Sequence, residues 1–187
     1  MSNVQQQELS DKICIYSNVF IENNKILESI NDIKNQIWIR NDVNTDEYRY
    51  GVFKYANCYI GTSINNDIND FKLLERKMYF CFAKYIYNYA EKYNFNYNGI
   101  IKGSFLKYTK DSFDIPHYAS VAGELGISLY YFINDDYDGG EIYFPNQDIT
   151  IKGKKDQLLI VPSTADFIHF SKPVTDGIKY IYDEVVE

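Results

Sequence analysis

From about residue 99 onward the chain breaks into short β-rich runs separated by turn residues, and this rhythm limits its folding more than any other feature. Runs at 104–108, 115–119, 126–133, 140–144, 149–151, 157–161, 167–170 and 177–182 alternate with turn signals. Those signals are Asn134-Asp135-Asp136, Asp138-Gly139-Gly140, Lys152-Gly153 and Pro162-Ser163. About eight short strands after a helical start predict an α+β chain: a double-stranded β-helix, or jelly-roll, barrel with supporting N-terminal helices.

The first half has a different period. Ile26, Leu27, Ile30, Ile33, Ile37 and Trp38 recur at helical spacing and predict a helix over 22–39. Phe71, Leu74, Met78, Phe82, Ile86 and Tyr89 mark the apolar face of a second helix, over 68–93. A short strand is expected at 13–16. Residues 41–66, rich in Asn, Asp, Thr and Tyr, predict a long loop with a possible strand at 57–60, and loops of that length in a compact domain are often functional. The 187 residues, 45% of them hydrophobic, suit one domain over 1–187, with a helical part over about 1–98 and a barrel core over about 99–187.

Charge and cysteines exclude several classes. The net charge of −7 and the lack of a dense basic run, apart from a turn at Lys152-Gly153-Lys154-Lys155, argue against nucleic acid as a partner. Cys14, Cys58 and Cys81 are odd in number and widely spaced, which predicts free thiols in a reducing compartment. Residues 1–10 carry no apolar core, and no window approaches the roughly 18 apolar residues of a membrane span. A cytoplasmic protein without a membrane partner is the expectation; oligomeric state stays open.

The chain has only two histidines. His117 stands in Ile115-Pro116-His117-Tyr118-Ala119. His169 stands in Phe167-Ile168-His169-Phe170, and Lys179 follows it by ten positions. Between them runs Asn134-Asp135-Asp136-Tyr137-Asp138-Gly139-Gly140-Glu141. Over about residues 100–182 this constellation resembles the iron(II)/2-oxoglutarate oxygenases, and within them the prolyl-4-hydroxylase-like branch. The resemblance implies that His117 and His169 bind iron(II). It implies that Lys179, helped by Tyr108, holds the far carboxylate of the co-substrate 2-oxoglutarate, and that O2 is consumed. Gly139, Gly140 and Glu141 read as structural.

The chain departs from the family at one place. The family reads His-x-Asp where this chain reads His117-Tyr118-Ala119, so a metal-binding carboxylate is replaced by a side chain without a donor atom. Three readings follow. In a radical halogenase, which carries Ala or Gly there, chloride takes the position that Ala119 vacates. In a hydroxylase whose Asp has been replaced, naturally or by design, the metal site is weakened. In the third reading Asp111, Asp114 or Glu124 substitutes, but none has the period-two relation to His117, so it ranks last. The otherwise intact constellation favours the first. The expected substrate is a small amino-acid-like molecule or a peptide, met by a lid at 41–66 in which Arg49, Tyr50 and Tyr55 are the candidate contacts. The rival reading is a non-catalytic jelly-roll binding module, which would have no use for this pair of histidines.

Overall fold

A computed structural model describes residues 5–20, 24–32, 36–40, 56–63, 70–96, 101–118 and 126–186. In chain order the elements are β1 (Gln5–Ser10), β2 (Ile13–Ser17), α1 (Asn24–Asp32), β3 (Gln36–Arg40), β4 (Ala56–Asn57), β5 (Tyr59–Ser63), α2 (Asp70–Tyr93) and β6 (Ile101–Tyr108). Then come β7 (Phe113–Asp114), β8 (Gly126–Phe132), β9 (Tyr137–Gly139), β10 (Ile142–Phe144), β11 (Ile149–Ile151) and β12 (Gln157–Ser163). A 3-10 turn at Ala165–Phe167 leads to β13 (Phe170–Ser171), β14 (Val174–Gly177) and β15 (Lys179–Val186).

The large sheet runs β1-β2-β12-β8-β15-β6-β5-β3, and smaller sheets β11-β10-β13, β14-β9 and β4-β7 complete a jelly-roll fold that is not a closed barrel. Among the described residues each strand pairing is antiparallel, so one face of a strand can be assigned from alternation alone. Cys14 and Tyr16 of β2, Leu129 and Tyr131 of β8, Leu158 and Ile160 of β12 and Tyr182 of β15 pack on the helices, against Ile26, Ile30, Met78, Phe82 and Tyr89. The intervening residues turn the other way. Ile13, Ile15, Leu106, Tyr108, Tyr130, Phe132, Leu159, Val161 and Ile181 meet Ile142, Phe144 and Ile151 of the smaller sheets. Because both faces are covered, β8 is buried along its whole length and reads as an apolar run interrupted only by Ser128, whose hydroxyl bonds that of Ser163.

The predicted helix over 68–93 matches α2, with Leu74, Met78, Phe82, Ile86 and Tyr89 buried. The helix predicted over 22–39 does not run that far. It ends at Asp32, and Ile37 and Trp38 belong to β3, which pairs with β5. The run Ile37-Trp38-Ile39 mimics helical spacing by coincidence, while its β-branched and aromatic residues suit a paired strand. The part before residue 98 is therefore less helical than its periodicity predicts: β1 to β5 lie there.

Two expected strands are shorter than predicted. Of the run predicted at 115–119, residues 115–118 are described; Pro116 has no N–H, so no ladder continues through them, β7 ends at Asp114 and His117 makes only an isolated bridge. The 3-10 turn likewise shortens the run at 167–170. The Gly-rich turn behaves as expected. Gly139 and Gly140 have φ of +71° and +67°, and Lys152 donates to the Tyr137 and Gly139 carbonyls at 2.8 and 2.7 Å. Asn134 is structural: its amide donates to Asp136 Oδ1 at 2.6 Å and the Ile178 carbonyl at 2.7 Å, and its oxygen accepts from the Tyr180 N–H at 2.7 Å. Cys14, Cys58 and Cys81 form no disulfide. Among the described residues no helix is long and apolar enough to cross a membrane.

Candidate functional site

The two histidines meet. His117 and His169 form an isolated antiparallel bridge, with N–H to carbonyl distances of 3.0 and 2.9 Å, and their ring centroids lie 4.7 Å apart. Fifty-odd residues of chain separate them, so this contact exists only because the sheets fold over one another.

Their tautomers are set by the backbone. His117 Nδ1 lies 2.8 Å from the Ile115 carbonyl, and His169 Nδ1 lies 2.8 Å from the Phe167 carbonyl. A carbonyl only accepts, so each Nδ1 carries the proton and each Nε2 presents its lone pair. Burial pushes both imidazoles down, His117 to about 4 and His169, with His117 as the next cause, to about 3. At neutral pH both are uncharged, the form that binds a metal. His169 is packed between Tyr130 and Phe144, with ring centroids 5.2 Å away in each case, and the Tyr130 hydroxyl donates to its Nε2 at 2.5 Å.

Deeper in the same interior lies a charged group. Lys179, fully buried, is the direct cross-strand partner of Tyr108. Its Nζ donates to the Gly140 carbonyl at 2.9 Å and to Ser171 Oγ at 3.0 Å, and lies 4.7 Å from the centre of the Tyr108 ring. Burial lowers Lys179 to about 8, and the charge of Asp114 opposes that fall. The Tyr108 hydroxyl donates to both Asp114 oxygens, at 3.0 and 3.2 Å, and Ser171 also holds that carboxylate. Burial raises Asp114 while Lys179 lowers it.

The residues singled out in the sequence thus divide. His117, His169, Tyr108 and Lys179 come together around one interior. Ala119, Glu124, Arg49, Tyr50 and Tyr55 lie outside the described residues, as does most of the predicted lid at 41–66. Asp111 sits exposed in a turn at φ +66°. Asp114 is inside, but it belongs to Lys179 and Tyr108; among the described residues no three His, Cys, Asp or Glu groups come close enough to hold a metal. The donor set therefore fits an ion held by two imidazoles, and the described residues bring no third protein ligand to it.

Sequence reasoning missed Tyr130, Ser171 and Asp183, and read Gly140 only as a turn-former. Tyr130 caps His169, and Ser171 links Lys179 to Asp114. Gly140 offers its carbonyl to Lys179, which comes close because no Cβ intervenes: one built there would lie 3.2 Å from Lys179 Cδ. Asp183 shares the inward face of β15 with Lys179 and Ile181, is 5% exposed, and has an Oδ1 without a hydrogen-bond partner among the described residues. Its signal was available: it lies an even number of residues from Lys179.

No family model and no curated relative matches the chain. Solved structures do. A prolyl hydroxylase from Trichoplax adhaerens, in complex with a peptide fragment of the oxygen degradation domain of hypoxia inducible factor, aligns with a TM-score of 0.69 at 16% identity, covering 95% of this chain and 84% of that one. A Pseudomonas putida prolyl-4-hydroxylase aligns at 0.61 and 9% identity, covering 94% and 92%. The viral collagen prolyl hydroxylase of Paramecium Bursaria Chlorella virus-1, as a 2-oxoglutarate complex, aligns at 0.54 and 15% identity, covering 83% and 97%. At these identities the likeness is one of fold: the chain has the prolyl-hydroxylase fold.

Proposed function

We propose that this protein is an iron(II)- and 2-oxoglutarate-dependent enzyme that functionalises a C–H bond of a peptidyl or amino-acid-like substrate. One observation carries the reading: two neutral histidines, far apart in sequence, are bridged with both Nδ1 atoms tied to backbone carbonyls, which leaves each Nε2 as the acceptor atom a metal would use, His169's being held by the Tyr130 hydroxyl. The fold likeness supports it, since one aligned hydroxylase was seen with 2-oxoglutarate and another with a peptide.

Iron(II), 2-oxoglutarate and O2 together supply oxidation of an unactivated C–H bond. The protein's part is to hold and to exclude. His117 and His169 bind the metal through Nε2. Lys179 offers a point charge to the distal carboxylate of the co-substrate, and Tyr108 forms the wall beneath it. Phe144, Phe167 and Leu159 keep that interior dry, which strengthens every charge interaction inside it. Ile115 and Tyr118, 41% and 42% exposed beside His117, offer apolar surface to the substrate. The chain acts as one domain over 1–187, and Arg49, Tyr50 and Tyr55 remain its proposed substrate contacts.

A second reading, radical halogenation, rests on position 119. Alanine brings no donor, and no carboxylate joins the histidines among the described residues. A chloride bound there would restore the charge neutralisation that an Asp supplies. The test is anaerobic titration with iron(II) and 2-oxoglutarate, with and without chloride, on this protein and on Ala119→Asp. A metal-to-ligand charge-transfer band supports the oxygenase reading, and no band under any condition favours a binding module. Chloride that shifts the band only when residue 119 is Ala selects halogenation. Chloride without effect, and strong iron binding regained by Ala119→Asp, select a hydroxylase that lacks its carboxylate.

A further inference from the structure

Lys179 has protein partners before any ligand arrives. Its ammonium is fully buried and bound to Gly140 and Ser171, and the carboxylate of Asp114 stands in the same network, held by Tyr108 and by Ser171. Asp114 is itself 8% exposed and Ser171 3%. A cation enclosed this way needs a countercharge, and a buried carboxylate needs a cation and donors. Asp114 and Lys179 answer both needs without any ligand.

We infer that Asp114 is a resident carboxylate in the cradle of Lys179, and that a co-substrate carboxylate must compete with it for the same cation and hydroxyls. This rests on the proposed use of 2-oxoglutarate and adds that the pocket is charge-balanced before that molecule arrives. A dicarboxylate entering the wild type would place two anions against one buried cation. Either Asp114 takes up a proton or it swings away from Tyr108, and both weaken the apparent affinity. An oxo acid with an uncharged amide at its far end meets no such conflict.

The experiment is calorimetric titration of the Mn(II)-loaded, anaerobic full-length protein with 2-oxoglutarate and with 2-oxoglutaramate, its distal amide. Wild type and Asp114→Asn are compared, so binding is read without turnover. Asp114→Asn keeps the shape and removes the charge. It is expected to bind 2-oxoglutarate about tenfold tighter or more, as removal of a like charge from a buried site implies, with 2-oxoglutaramate nearly unchanged. Equal or weaker binding of 2-oxoglutarate by the variant overturns the inference while leaving the co-substrate reading intact. Failure of both proteins to bind it overturns that reading and the competition with it.

A ligand-free arm covers the case in which Asp114→Asn folds poorly. Urea unfolding of Asp114→Asn, Lys179→Met and the double variant should show coupling, with the double variant less destabilised than the two single effects together. Additive effects would mean that the pair does not exist, and the inference falls.

Discussion

His117 and His169 exchange both backbone hydrogen bonds across a single antiparallel bridge, and the same bridge sets their imidazoles 4.7 Å apart. The pair is built by the main chain, so either ring can be removed without removing the bridge. His117→Ala and His169→Ala should each keep the fold and weaken Co(II) or Fe(II) binding by about 100-fold or more, beyond the loss that follows from disturbing outer partners alone. Anaerobic Co(II) titration followed by visible absorption checks this. Undiminished affinity in either variant would exclude the pair as the metal site.

Tyr130 donates to His169 Nε2 at 2.5 Å, the atom a metal needs. Binding must break that hydrogen bond and leave the buried hydroxyl to find another partner. Tyr130→Phe keeps the ring against His169 and removes the competitor. Its metal affinity is expected to rise several-fold, and a fall would mean instead that the hydroxyl assists the bound state.

Asp183 predicts a pH dependence of stability. Burial first, then the charges of Asp114 and Glu184, raise its carboxyl to about 8, whereas an unfolded Asp titrates near 4. Between those values the folded protein keeps a proton that the unfolded chain releases. Stability from this group is thus complete below about pH 4, falls as pH rises toward about 8, and is level above that. Asp183→Asn should flatten this slope and raise the urea midpoint at pH 8 relative to wild type. Parallel pH profiles for the two proteins would show that Asp183 does not titrate in this range.

Gly139 carries a steric requirement. At φ +71°, a Cβ there would lie 2.3 Å from the Pro173 carbonyl oxygen. Gly139→Ala should cost about 1–3 kcal/mol, from the left-handed backbone and the clash together, read as a lower urea midpoint. An unchanged midpoint would mean that the β9–β14 pairing yields freely.

Much of the site was legible because its parts are marked by residue type. With only two histidines in the chain, a metal reading had to use His117 and His169, and the resemblance to the 2-oxoglutarate oxygenases, which place a cation ten residues after the second histidine, put Lys179 near them. The helix over α2 was legible because a helix facing a core must repeat its apolar residues. Ile37 and Trp38 misled for the complementary reason: a short apolar run satisfies two periods at once, and only pairing with β5 decides between them. Its nearness to His117 in sequence makes Asp114 a candidate metal ligand. The folded chain instead turns it toward Tyr108 and Lys179.

By itself, then, the sequence determined the apolar run that becomes β8, the Gly139-Gly140 turn, the identity of the two imidazoles and the loss of a donor at position 119. These follow from side-chain chemistry and from periods of two or 3.6 residues, which are local properties of a chain. Tertiary structure alone decided the bridge between His117 and His169, the cap of Tyr130 on His169, and the enclosure of Lys179 with Asp114. Each joins segments that no local period relates, and each depends on burial, which turns a solvated lysine and aspartate into a pair that must answer one another's charge.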